Sequence, residues 1–117
     1  MKYAVIDVGS NTVRLCVYDV LCPEKRKFKT IMNRKIMAGL AAYIVDGAFS
    51  DEGIAEAILA VKKCIKRASY LSPDRIDVFA TAVLRNISNS AQAIAAIEQG
   101  AGCTISLLSN ADEAHLG

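Results

Sequence analysis

The stretch that decides the fold is Tyr3-Ala-Val-Ile-Asp-Val-Gly-Ser-Asn-Thr-Val-Arg-Leu15. Alternating apolar residues predict a first strand over residues 3–8 and a second over residues 12–20. The intervening Gly-Ser-Asn is short enough for a hairpin turn. Asp7 stands near the end of an otherwise apolar strand, where burying an unpaired carboxylate would be costly. The stretch therefore predicts either a plain hairpin or a hairpin that also binds a metal ion or phosphate, and Asp7 favours the second interpretation.

Length and composition favour one globular domain. The chain has 117 residues, of which 53% are hydrophobic, so a core can form and disorder is not expected. A net charge of +2, no Trp, four Tyr and three Phe do not favour nucleic-acid binding. No apolar run reaches the roughly 20 residues of a membrane helix, and the N-terminus does not resemble a signal peptide. We therefore expect a cytoplasmic protein without nucleic-acid or membrane partners.

The cysteines do not indicate a metal site. Cys16, Cys22, Cys64 and Cys103 include no CxxC pair, and no histidine accompanies the one close spacing, so zinc is not expected. Cys16 and Cys103 lie in apolar strand patterns and are predicted to be small core residues.

Further strands are predicted along the chain. A third strand over residues 28–37 follows a charged, proline-containing loop at residues 21–27. Short strands are expected at Ile76–Ala80 and Cys103–Leu108. Residues 38–49 fit either a loop or a short helix. The three consecutive strands at the start predict an antiparallel meander.

Two helices are predicted between these strands. Ser50 has the features of an N-cap, because acidic residues follow it in the first turn. A second helix is predicted over residues 90–99, ending at Gly100. Strands alternating with helices predict a mixed sheet flanked by helices. The residues with helical spacing that should form the buried face of the first helix are Ile54, Ile58, Val61 and Ile65.

Two kinds of ligand fit the segment around the first turn. Asp7 could hold Mg²⁺ directly or through water, because Mg²⁺ prefers oxygen ligands. The N–H groups of the turn could form a concave nest for phosphate oxygens. Ser10, Asn11 and Thr12 add hydroxyl and amide donors beside them.

The segment from Thr81 to Asn89 follows a predicted strand directly and contains a candidate anion site. Arg85 could present its planar guanidinium to a phosphate, and Thr81 could donate a hydrogen bond nearby. The alternative is a surface arginine in a loop, with Ser88 or Asn89 capping the next helix.

Asp112 and Glu113 occupy the first turn after the last predicted strand. A carboxylate there could orient and deprotonate a water molecule. The alternative is that these acidic residues only compensate the dipole of a helix N-terminus, which is common.

In this order and spacing, these segments resemble the exopolyphosphatase / guanosine pentaphosphate phosphohydrolase family of the actin-like ATPase superfamily. Residues 4–15 are similar to its first phosphate loop, residues 80–89 to its second signature and residues 105–116 to its glutamate-alanine segment. The resemblance covers nearly the whole chain. It implies a ribonuclease H-like (actin-like ATPase) α/β domain, whose mixed five-stranded sheet starts with three antiparallel strands and is flanked by helices.

In that family, water attacks the terminal phosphorus of polyphosphate or guanosine pentaphosphate. The resemblance implies that Asp7 holds Mg²⁺, that Arg85 is catalytic by stabilising charge on the phosphate, and that Glu113 is the general base. Family members are much longer, so it also implies that residues 1–117 form the N-terminal domain of a two-domain protein. The implied phosphate-binding residues are Gly9, Ser10, Asn11, Thr12 and Thr81.

Two other functions stay open. The protein could be an ATP-using kinase or ATPase of the same superfamily, or the isolated chain could bind phosphate or a partner domain without catalysis. We expect the 117 residues alone to be inactive, because the cleft would lack the chain's own second domain. An exposed interdomain face would favour a homodimer.

Overall fold

A five-stranded mixed sheet lies at the centre of the fold in the computed structural model, which describes residues 1–22, 27–80, 84 and 87–107. A two-stranded hairpin and a 3₁₀ helix precede the first long helix. The strands are β1 (Lys2–Val8), β2 (Val13–Cys22), β3 (Lys27–Ile36), β4 (Ile44–Val45), β5 (Ala48–Phe49), β6 (Arg75–Ala80) and β7 (Ile105–Leu107), and the helices are the 3₁₀ helix Leu40–Tyr43, α1 (Asp51–Ser69) and α2 (Ser90–Ala101).

The order of strands in the sheet is β3-β2-β1-β6-β7. β1 and β2 are antiparallel, with Val8 opposite Val13, and β3 continues this antiparallel arrangement. β6 runs parallel to β1, and β7 runs parallel to β6. Parallel strands need a long crossover connection, which includes β2, β3 and α1 for the first pair and α2 for the second. The predicted fold class, a ribonuclease H-like (actin-like ATPase) domain with an antiparallel start, is confirmed.

One face of the sheet supplies the core. Along β1, Ala4, Ile6 and Val8 are fully buried, whereas Val5 and Asp7 on the opposite face are only partly buried. β2 repeats this alternation, as the sequence predicted. Each large aliphatic side chain buried in this way contributes about 1.5–3 kcal/mol. The buried side chains of β2 are Val13, Leu15 and Val17.

Helix α1 begins where its N-cap predicted, but its buried face is different. The Ser50 hydroxyl accepts a hydrogen bond from the Gly53 N–H at 3.1 Å. Val61 is buried as expected, whereas Ile54, Ile58 and Ile65 are only partly buried at the edge of the core. Small side chains let the helix approach the sheet closely, and the larger isoleucines then pack beside that contact. The small buried residues of α1 are Gly53, Ala57, Ala60, Cys64 and Ala68.

The predicted end of the second helix at Gly100 is wrong. The helix continues to Ala101, and Gly102 ends it with a φ of 70°. Gly100 lies inside the helix against Ile58, where a Cβ atom would come within 2.6 Å of the Ile58 Cδ1 atom. This glycine therefore allows two helices to pack closely rather than ending one of them.

Other boundaries differ from the sequence predictions. β2 extends to Cys22, into the predicted loop, and β7 begins at Ile105 rather than at Cys103. Residues 38–49, for which loop and short helix were both open, contain the 3₁₀ helix and the β4–β5 hairpin. Asp46 and Gly47 have φ angles of 51° and 80°, as a type I′ turn requires.

The two cysteines predicted in the core are only half-buried. Cys16 lies on the partly covered face of the sheet, and Cys103 lies before β7 rather than within it. Cys64 on α1 is the fully buried thiol, and burial raises its pKa to about 11. Within residues 1–22, 27–80, 84 and 87–107, no helix is long and apolar enough to cross a membrane.

Candidate functional site

The candidate site lies where the central parallel strands end. Val8 of β1 is opposite Ala80 of β6, and Ala80 is opposite Leu107 of β7. The carboxyl ends of three strands therefore meet at one edge of the sheet, which is the usual place for a ligand in an open α/β sheet. Val8, Ala80 and Leu107 are the last residues of these strands, and each precedes one of the three candidate segments in the sequence.

The loop of residues 9–12, which connects β1 to β2, is closed by its own backbone. The Gly9 N–H donates to the Thr12 carbonyl at 3.0 Å. A Cβ atom at position 9 would lie 3.0 Å from that same carbonyl oxygen, so glycine gives the turn its close approach. The Gly9 N–H already donates inside the turn, so it is not a donor for a ligand. Glycine at this position instead leaves room that a side chain would fill.

The 3₁₀ helix holds the outer side of this loop. The Gly39 N–H donates to the Asn11 carbonyl at 2.9 Å, and the Ala41 N–H donates to the Ser10 carbonyl at 2.8 Å. In a planar trans peptide, the carbonyl and the following N–H point in opposite directions. The N–H groups of Asn11 and Thr12 therefore point away from the groups that hold these carbonyls, and backbone N–H groups of this kind are what an anion site uses.

Asp7 lies two residues before this loop, on the partly covered face of the sheet. In the sheet its neighbours are Arg14 on β2 and Phe79 on β6. Mg²⁺ is commonly held by one or two carboxylates together with water and substrate phosphate oxygens. A carboxylate near the end of β1, just before the 9–12 loop, fits that donor set. Among the described residues, no group of three or more His, Cys, Asp or Glu side chains could form a site by itself.

Only part of the second candidate segment is described, namely Leu84 and residues 87–89. Thr81 and Arg85 lie outside the described residues, but Ala80 before them is opposite Val8 at the start of the loop. Leu84 and Ile87, on either side of Arg85, are buried in the core. The structure therefore fixes Ala80, directly before this segment, next to Val8, and it fixes Leu84 and Ile87 in the core.

Asn89 does not act as a conventional helix cap. It occupies the N-cap position of α2 without a capping hydrogen bond from its side chain. Its Oδ1 atom accepts from the Phe49 N–H at 2.8 Å, and its Nδ2 atom donates to the Phe49 carbonyl at 3.0 Å. Asp112 and Glu113 lie outside the described residues, and β7 leads toward them at Leu107.

Sequence reasoning did not identify the residues that support the site. Gly39, Ala41 and Asn89 bind backbone groups far away in the chain, and their sequence context does not reveal these partners. The positive φ of Gly39, 60°, is a feature that an isolated glycine in a loop suggests only weakly.

A second polar cluster lies at the opposite end of the same strands. Arg75 on β6 contacts Asp77 with Nε to Oδ2 at 3.0 Å, and the Tyr3 hydroxyl donates to Asp77. Burial and this hydrogen bond raise the pKa of Tyr3 to about 12. These side chains bind one another, and they lie at the amino ends of β1 and β6, away from the candidate site.

The sheet and the loop at its carboxyl edge define a domain of the ribonuclease H-like, actin-like ATPase class. The model of the Ppx/GppA phosphatase family matches residues 21–117. The chain belongs to this family.

Solved structures agree with this assignment. An exopolyphosphatase from Cytophaga hutchinsonii is 26% identical, with a TM-score of 0.86 over 99% of this chain. The Aquifex aeolicus Ppx/GppA phosphatase, at 22% identity, shares the fold with a TM-score of 0.83 over 94% of this chain. The chain spans only 36% of the length of each of these structures.

Proposed function

We propose that this chain is the N-terminal domain of a two-domain hydrolase that releases phosphate from the end of inorganic polyphosphate or guanosine pentaphosphate. The observation that carries the proposal is the 9–12 loop. The carbonyls of Ser10 and Asn11 are held by the N–H groups of Ala41 and Gly39, so the N–H groups that follow them in the loop point the other way. Membership of the Ppx/GppA phosphatase family and likeness to an exopolyphosphatase support the same reaction class.

In this proposal, the 9–12 loop holds the terminal phosphate. The N–H groups of Asn11 and Thr12 would donate to its oxygens, and the hydroxyls of Ser10 and Thr81 would add further donors. Gly9 leaves space for the close approach of the phosphate. Such preorganised donors bind charge without having to reorganise during the reaction.

Asp7 would hold Mg²⁺ next to this loop. The ion, when bound, would neutralise negative charge on the phosphate chain. Arg85 would stabilise charge on the equatorial phosphate oxygens, because its planar guanidinium can bind two of them together. Glu113 would take a proton from the attacking water while the water oxygen bonds to the terminal phosphorus and the bond from that phosphorus to the bridging oxygen breaks. The shortened phosphate chain would keep the bridging oxygen, and the released phosphate would carry the oxygen of the water.

The cleft needs a second wall. The solved relatives are nearly three times as long as this chain, since it spans 36% of each. We therefore propose that the chain's own second domain completes the site, that the isolated 117 residues are inactive, and that they form a homodimer through the face meant for that domain. We also propose a cytoplasmic location.

A simple comparison of substrates tests this function. Phosphate release is measured for the full-length protein and for residues 1–117, with polyphosphate, guanosine pentaphosphate and ATP, each with and without Mg²⁺. We expect release from one of the first two substrates, only by the full-length protein and only with Mg²⁺. Preferential turnover of ATP would instead indicate a kinase or ATPase, and binding of tripolyphosphate without turnover by either form would indicate a non-catalytic phosphate-binding protein.

A further inference from the structure

The segment from Gly39 to Phe49, here called the strap, connects two parts of the candidate site that are far apart in the chain. At its first end, the N–H groups of Gly39 and Ala41 hold the carbonyls of the 9–12 loop at 2.9 and 2.8 Å. At its other end, Phe49 exchanges two hydrogen bonds with Asn89. The strap thus contacts both candidate phosphate segments.

The strap is stiff between these two ends. β4 and β5 pair as an antiparallel hairpin around the Asp46-Gly47 turn. The Ser50 N–H donates to the Tyr43 carbonyl at 3.0 Å and joins the base of this hairpin to the 3₁₀ helix. A displacement at one end therefore cannot be absorbed by a freely rotating loop.

The strap is also pressed against the first turn of α1. At Gly53 on this turn, a Cβ atom would lie 2.5 Å from the Tyr43 Cβ atom and 2.5 Å from the Phe49 Cε1 atom. Phe49 itself is only 2% exposed. The absence of a side chain at Gly53 is therefore what allows the strap to lie against the helix at this distance.

Asn89 replaces a neighbouring strand for the edge residue Phe49. Its amide accepts from the Phe49 N–H and donates to the Phe49 carbonyl, which is the pair of bonds that a strand partner would make. The adjacent Ser88 N–H donates to the Gly47 carbonyl at 2.8 Å. These three bonds tie the end of the Arg85 segment to the hairpin.

The remaining step leads from Asn89 to Arg85. The Ser90 hydroxyl donates to the Leu84 carbonyl at 2.6 Å, and the side chains of Leu84 and Ile87 are buried. The described residues before and after Arg85 are therefore both held, Leu84 on one side and Ile87 to Ser90 on the other.

We propose that Asn89 is a positioning residue, which through the strap fixes the residues that flank Arg85, Leu84 and Ile87, relative to the 9–12 loop. The coupling itself rests on the hydrogen bonds above, and its catalytic consequence rests on the proposed function. Asn89 does not need to touch the substrate. Its effect is expected in the turnover rate, because mispositioning a charged group by about 1 Å can lower a rate about 100-fold.

The coupling is tested without activity, by amide hydrogen exchange of the 117-residue chain. In Asn89→Ala, we expect exchange to become about tenfold faster at Phe49 and also at Gly39 and Ala41, because a lost buried hydrogen bond loosens the whole strap. The amide of Ile6 in β1 should keep its rate. Acceleration at Phe49 alone, or an equal acceleration at Ile6, would overturn the coupling.

The catalytic consequence is tested in the full-length protein. Asn89→Ala should lower kcat for phosphate release about 10- to 100-fold with little change in KM, and Ser88→Ala, which keeps the backbone bond to Gly47, should match the wild type. Asn89→Asp keeps the acceptor for the Phe49 N–H, so its kcat should lie between those of Asn89→Ala and the wild type. It provides a second variant if Asn89→Ala does not fold. An unchanged kcat in both Asn89 variants would overturn the positioning role. A wild-type protein without any phosphate release would contradict the proposed function instead and would leave the exchange result to decide the coupling.

Discussion

The two ends of the central strands are built in different ways. At the amino ends of β1 and β6, Tyr3, Arg75 and Asp77 bind one another through their side chains. At the carboxyl ends, the 9–12 loop is held by backbone groups of the strap, so that other N–H groups face outward. Ionisable side chains that bind one another leave few charged or hydrogen-bonding groups for a ligand. The 9–12 loop, whose carbonyls are held by the strap, keeps N–H groups that could bind a ligand.

The largest expected effect concerns the carboxyl edge. Glu113→Gln in the full-length protein should lower kcat for phosphate release about 10²- to 10⁴-fold, because it removes the proposed general base. Asp112→Asn, which changes the adjacent carboxylate in the same way, should have a much smaller effect. Equal losses in both variants, measured by phosphate release under saturating substrate, would favour the helix-dipole interpretation instead.

One added methyl group on α1 should displace the strap that holds the 9–12 loop at this edge. Gly53→Ala should lower the free energy of unfolding by about 1–3 kcal/mol, because the new Cβ atom would overlap Tyr43 and Phe49. Urea denaturation of the 117-residue chain measures this change. Gly100→Ala is the matched control, since its overlap is partly with the Ile58 Cδ1 atom at the flexible end of a side chain, and it should cost less. A larger loss at Gly100 would show that the strap tolerates displacement.

The amino end should affect stability but not phosphate release. Tyr3→Phe removes the hydroxyl that donates to Asp77 and should lower the free energy of unfolding by about 0.5–1.5 kcal/mol. Phosphate release by the full-length protein should not change. A loss of activity without a loss of stability would place this cluster within the functional site and would remove the contrast between the two ends.

The smallest expected effect is a pH dependence of stability that comes from Tyr3, at the amino ends of the strands. Burial raises the pKa of Tyr3 from 10.0 to about 12 in the folded chain. The folded state therefore holds this proton more tightly, so its contribution to stability is complete below pH 10 and is lost as the pH rises toward 12. Denaturation midpoints of wild type and Tyr3→Phe should converge over this range. A constant difference between them up to pH 12 would contradict the raised pKa.

Local patterns predicted the elements that depend on neighbouring residues. The alternation in β1 and β2, the turn at residues 9–12 and the Ser50 cap are confirmed, because each follows from contacts between residues close in the chain. The buried face of α1 was partly wrong. Isoleucines at helical spacing look like a core stripe, but the distance between helix and sheet selects small residues such as Ala57 and Ala60 for the closest contact.

The sequence by itself determined the order along the chain of the five central strands and the two long helices, the three candidate segments and the family that they resemble. Short-range periodicity and turn chemistry are sufficient for these features. Only the tertiary structure decided which way the peptide groups of the 9–12 loop point, and that Asn89 binds Phe49, 40 residues away in the chain, instead of capping its own helix. Such bonds depend on how separate elements pack, and a hydrogen bond between distant residues forms only where packing brings donor and acceptor within about 3 Å in the right direction.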